Sequence, residues 1–165
     1  MGCDIHLFVE YRQKENGARW QSFGKEFHLD RDYSMFGRMA RVRRETEVGF
    51  APRGLPVDVA YAVEHVNLCY IHDGEKEEDN YVTSAKAAEW VQSGCSKYVD
   101  RYNNGKNTYV THPDWHSHSW LTLEEFEQCI ECSKYKVSDY RAVATAMRSL
   151  ESDGYQTRVV FFFDN

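Results

Sequence analysis

The densest apolar stretch of the chain is its last one. Val159-Val160-Phe161-Phe162-Phe163 runs without a polar residue. In an extended backbone these side chains point alternately to both faces. Residues 157–163 therefore predict a strand covered on both sides, in the interior of a sheet. The run is far short of the ~20 apolar residues that a membrane span needs. Residues 4–13 predict a second strand. There Ile5, Leu7, Val9 and Tyr11 share one face, which should meet the core, and Asp4, His6, Phe8 and Glu10 share the other. Whether the first and last strands pair is left open.

Between them lie better-marked helices than strands. Asn16-Gly17 is a strong hairpin signal, with residues 18–23 as the returning strand. Residues 33–44 place Met35, Phe36, Met39 and Val42 at helical spacing, and residues 57–66 predict a second helix after Gly54 and Pro56. Thr83 or Ser84 can cap a third helix that ends at Gly94. Thr122 and Glu125 make a capping box before Leu123, Phe126 and Ile130. Ser138 can cap a fifth helix with Tyr140, Val143, Ala144, Met147 and Leu150 on its face. Residues 72–80 are too polar to bury and predict an exposed loop. The expected class is α+β, a mostly antiparallel sheet containing the first and last strands with about five helices packed on it. A length of 165 residues suits a single domain over 1–165, and 42% hydrophobic residues suffice for a core.

Residues 2–8 lack the basic start and apolar run of a secretory signal. His6 stands where a myristoylation motif has Ser or Thr. With five cysteines, an odd number, the expected setting is cytoplasmic, with reduced thiols. Cys129 and Cys132 form one CxxC inside a predicted helix, which reads as a buried thiol and its neighbour one turn on.

Two i, i+2 pairs carry possible chemistry. Asp4 and His6 open the first strand on one face, as metal ligands or as an exposed strand end. His116 and His118 lie in a stretch that holds three of the seven histidines, with His112. They point the same way if that stretch is extended; the alternative is a His/Trp-rich loop that packs locally. Asp4, His6, His116 and His118 together would make a four-ligand N/O site for a divalent metal, zinc or manganese. A site with three protein ligands and a water would be catalytic. Asp164, just past the last strand, is a further ligand, a general base or a solvated carboxylate. Residues 31–54 hold six arginines and no lysine against three carboxylates, a local +3 in a chain of net −6. Arg38, Arg43 and Arg53 are candidates to hold an anionic group, unless they pair within the chain. The acidic net charge speaks against general nucleic-acid binding. No Walker loop, GxGxxG, GxSxG or HExxH is present.

The opening Met1-Gly-Cys-Asp-Ile-His6 resembles that of a family of short phage and prophage proteins. Arg31-Asp-Tyr33 with Phe36, Pro52-Arg-Gly-Leu-Pro56, His116-Ser-His-Ser-Trp-Leu-Thr122 and Val160-Phe-Phe-Phe-Asp-Asn165 extend the resemblance along the chain, except over about residues 70–111. It implies a phage origin and a host-cytoplasm setting, and no particular reaction. The expected function is a metal-binding phage protein acting as a metal-dependent hydrolase of a phosphoester or nucleotide. The alternative is a non-enzymatic accessory protein that binds a host protein or small nucleotide.

Overall fold

The terminal apolar run is the middle of a sheet. In the computed structural model, which describes residues 2–15, 17–43, 48–74, 80–99 and 104–164, β9 (Tyr155–Phe163) lies between β1 (Ile5–Gln13) and β8 (His116–Thr122). β1 and β9 are antiparallel over nine residue pairs, from Ile5 opposite Phe163 to Gln13 opposite Tyr155. The two short strands β2 (Gln21–Ser22) and β3 (Phe27–His28) pair with the far side of β1. The predicted returning strand is thus cut to two residues, and the Asn16 half of its turn lies outside the described residues.

Alternation assigns the faces. Ile5, Leu7 and Val9 from β1 and Val159, Phe161 and Phe163 from β9 pack together under three helices. These are α1 (Tyr33–Ala40), α4 (Leu123–Glu131) and α5 (Ser138–Ser152). α1 ends sooner than its apolar spacing predicts, because Arg41 turns left-handed at φ 57° and its N–H returns to the Gly37 carbonyl. α4 carries the predicted capping box. In α5, Ser138 is the first helical residue instead of the cap; Val137 precedes it and supplies no side-chain bond.

The opposite face of the same strands is also covered. Phe8, Val160 and Phe162 pack against Leu55, Val59, Val63, Leu68 and Tyr109. Val63 belongs to α2 (Tyr61–Asn67), shorter than predicted. Leu68 and Tyr109 belong to a second, four-stranded sheet that sequence analysis did not anticipate. Its order is β5 (Tyr81–Val82), β4 (Leu68–Ile71), β7 (Thr108–Thr111), β6 (Lys97–Val99). β4 and β5 are parallel, and the other pairs are antiparallel. The outer face of this sheet, with Cys69 and Val110, packs on Ala87 of α3 (Ser84–Gln92), and Trp90 packs against that cluster. The layers run helices, first sheet, second sheet with α2, then α3. Most of the polar 72–80 loop, residues 75–79, lies outside the described residues. No helix among the described residues is long and apolar enough to cross a membrane.

Candidate functional site

At the end of the first sheet where β1 begins and β9 stops, the chain gathers titratable side chains from four segments. His6 leaves β1 on the face of Phe162, and the two rings stack with centroids 5.0 Å apart and an interplanar angle of 7°. His6 Nδ1 lies 2.6 Å from Glu26 Oε1, and Nε2 lies 3.3 Å from Asp164 Oδ2. Backbone pairing explains the first contact: His6 is opposite His28 of β3, and Glu26 directly precedes that strand. The second is fixed by the chain end. Asp164 Oδ1 accepts from the Asp4 N–H at 2.7 Å. Burial alone would lower the His6 pKa, but the two carboxylates outweigh it and raise it. Burial would raise that of Asp164, but the Asp4 N–H and then His6 bring it down.

His118 lies on the other side of the same aromatic ring, stacked on Phe162 at 5.4 Å. Its Nε2 is 2.9 Å from Asn67 Oδ1. The Asn67 amide is oriented because its Nδ2 donates to the Val63 carbonyl at 3.0 Å. His118 Nε2 therefore carries the proton, and Nδ1 keeps the lone pair. Burial, followed by the neighbouring His116, lowers the His118 pKa to about 4. The end of α2 is stitched to this region by the His112 N–H on the Asn67 carbonyl and the Trp115 indole on the Val66 carbonyl. The Trp115 ring lies 4.7 Å from His6.

The expected parallel orientation of His116 and His118 fails for a backbone reason. His116 is opposite Phe163 and Ser119 opposite Phe161, so β8 carries an extra residue there. Ser117 sits at the bulge with φ 53°. Consequently His118 stacks on Phe162 while His116 stacks on Phe163, the next residue of β9. His116 Nε2 faces the Asp164 backbone carbonyl at 3.3 Å. Asp4 instead holds Arg31, at 2.7 Å. The four expected metal ligands thus do not close on one point, and no group of three or more His, Cys, Asp or Glu able to hold a metal ion occurs among the described residues.

The three candidate arginines separate. Arg43 hydrogen-bonds the Cys3 thiol at this same end. Arg53 is committed elsewhere, doubly bonded to Glu125 at 2.7 and 2.5 Å and lying over the Trp120 ring. Arg38 has a buried Nε without a hydrogen-bond partner among the described residues, beside Cys129. Cys129 is buried and all five thiols are free.

Sequence reasoning missed Glu26 and Asn67, the two residues that orient the imidazoles, and no local signal marks either. It also left Glu10 aside, although alternation sets it on the His6 face. Glu10 is 0% exposed. It accepts from the Ala60 N–H at 2.5 Å and from Arg158 Nε at 2.6 Å. Arg158 continues to Asp58 at 3.1 Å and lies 4.0 Å over the Trp20 ring.

Comparison with known proteins gives no match to a protein-family model, to a curated protein or to a solved structure.

Proposed function

We propose that the protein is a hydrolase of small anionic phosphoesters or nucleotides that works through paired histidine acid–base chemistry. One observation carries this reading: two imidazoles flank Phe162, one favouring its charged form and the other its neutral form. Titratable groups whose surroundings push them in opposite directions mark acid and base roles. His118, with its Nε2 proton given to Asn67, presents Nδ1 as the base that takes a proton from the attacking water. His6, held at Nδ1 by Glu26, gives its Nε2 proton to the leaving oxygen. Its 3.3 Å contact with Asp164 is long enough to be exchanged for a ligand oxygen. Arg31, paired with Asp4, and Arg43, bonded to the Cys3 thiol, stand at the same end of β1, and an anionic group would exchange for these contacts.

Activity on chromogenic phosphodiesters and on nucleotides should follow a plateau that rises through about pH 4 as His118 loses its proton. It should fall above the ordinary imidazole range as His6 loses its own. His6→Ala and His118→Ala should each reduce kcat by about a hundredfold or more, the scale of general acid–base catalysis. Turnover unchanged by both substitutions rejects the reading. Binding without turnover in the parent chain favours the non-enzymatic alternative, a binder of a small nucleotide or host protein.

A metal-dependent form of the same hydrolysis is the second reading. It draws on the two Nε2 atoms that face Asp164, that of His6 toward the carboxylate and that of His116 toward the backbone carbonyl, which would have to draw together to hold an ion. Elemental analysis for zinc and manganese, with activity measured before and after chelation, separates it from the first. The resemblance to phage and prophage proteins supports a host cytoplasm as the setting.

A further inference from the structure

A concavity on the other sheet shares no lining residue with the histidine pair. It is a cavity of about 330 Å³ lined by Tyr70, His72, Tyr81, Lys106, Asn107 and Thr108. That volume is at the small end of the range for ligand sites, about 300–1,000 Å³. The parallel register of β4 and β5 sets Tyr70 opposite Tyr81. Their rings stack with centroids 5.3 Å apart at 21°, and the Tyr109 ring backs Tyr70 at 4.6 Å. His72 meets Tyr81 edge-on at 6.0 Å. The wall is therefore aromatic and supported from behind. The opposite rim comes from residues 106–108, at the start of β7. Lys106 is exposed there and has no ion pair among the described residues.

We propose that this cavity binds a nucleoside monophosphate, with the base against the Tyr70–Tyr81 pair and the phosphate at Lys106 and His72. Aromatic faces accept any base by stacking, and an ammonium with a neighbouring imidazole suits a compact anion. Thr108 lines the same rim and adds a hydroxyl. This inference does not rest on the hydrolase reading, since it uses none of the same side chains.

Calorimetric titration of the full chain with adenosine 5′-monophosphate, adenosine and inorganic phosphate, as separate probes, tests it. The monophosphate should bind tighter than either fragment. Lys106→Ala should weaken the monophosphate by about tenfold, the scale of one charge-assisted hydrogen bond, and leave adenosine unchanged. Tyr81→Leu should weaken both, and Tyr81→Phe, which keeps the ring, should restore them. Lys106 is exposed, so its substitution leaves the fold intact, which far-UV circular dichroism checks. His6→Ala and His118→Ala should leave this binding unchanged. No heat with the monophosphate, affinity equal to that of phosphate, or affinity untouched by Lys106→Ala overturns the proposal. Binding lost only with the histidine substitutions also overturns it and moves the ligand to the other site.

Discussion

The two faces of the β1–β9 pair are buried to a similar degree and built on different chemistry. The face under α1, α4 and α5 is a dry core of Ile5, Leu7, Val9, Val159, Phe161 and Phe163, with Tyr140 among the few polar tips. The face toward the second sheet also buries Phe8, Val160 and Phe162. On the same side, however, it sets His6 and His118 at one end and the Glu10–Arg158–Asp58 network at the other. Apolar packing is non-directional and tolerates adjustment. Buried charges tolerate little, because each must keep its partner. One strand pair therefore has a face that supplies stability and a face that demands geometry.

The largest expected effects come from cutting each face once. Phe161→Ala should cost about 3–5 kcal/mol, as for other buried aromatics reduced to alanine. Arg158→Met should cost a similar ~3–5 kcal/mol at neutral pH, because it leaves the Glu10 carboxylate buried and unpaired. The two should part as the pH falls. Burial already raises the Glu10 pKa against the pull of Arg158. Without Arg158 the carboxyl takes up its proton more readily, and the neutral acid is cheaper to bury. Urea unfolding from pH 7 down to pH 4 should show a shrinking penalty for Arg158→Met and a constant one for Phe161→Ala. A constant penalty for both would make the polar face energetically like the dry one.

Legibility in the sequence follows the same division. The dry face could be read because Ile5, Leu7 and Val9 alternate without exception and α4 carries its box at Thr122 and Glu125. The second sheet was missed because its strands are two to four residues long. So short a strand gives alternation almost nothing to repeat. Pairing His6 with Asp164 follows from the β1–β9 register, which is a tertiary fact. Turning His116 away from His118 takes one left-handed residue, Ser117, and serine carries no signal for that conformation. Asn67 and Glu26 act through positions at the end of a helix and just before a strand, which no short motif encodes. The paired histidines were thus visible as residue types, and their division into a charged and a neutral ring was not.

That division predicts opposite pH responses of intermediate size. The folded pKa of His6 is raised, so its contribution to stability is complete below the ordinary imidazole value and is lost as the pH rises through the raised one. His118 is lowered from 6.5 to about 4, so the unfolded chain binds the extra proton between those values. Stability on its account is complete above pH 6.5 and is lost as the pH falls toward 4. The urea midpoint followed across pH 4–8 should therefore change on its alkaline side in His6→Gln and on its acidic side in His118→Gln. Identical profiles for the two variants would mean that the rings share one environment.

The smallest expected effect concerns how the dry face is closed. β8 passes directly into α4, and Thr122 holds the joint by accepting from the Glu125 N–H while the Glu125 carboxylate accepts from the Thr122 N–H. Arg53 braces the same carboxylate from the Pro52–Pro56 segment, which itself docks on β8 through the Gly54 N–H and the His118 carbonyl. The guanidinium accordingly lowers the Glu125 pKa and keeps it charged for the cap. α5, which covers the same core, has no side-chain cap, and Ser138 is already inside the helix. Thr122→Ala should then cost about 1 kcal/mol, the usual worth of an N-cap side chain. Ser138→Ala should cost nothing or stabilise slightly, since alanine is the better helix former there. Thermal midpoints of the two variants measure the difference directly. Equal losses would mean that Ser138 caps α5 after all, and that both helices are tied to the sheet by the same device.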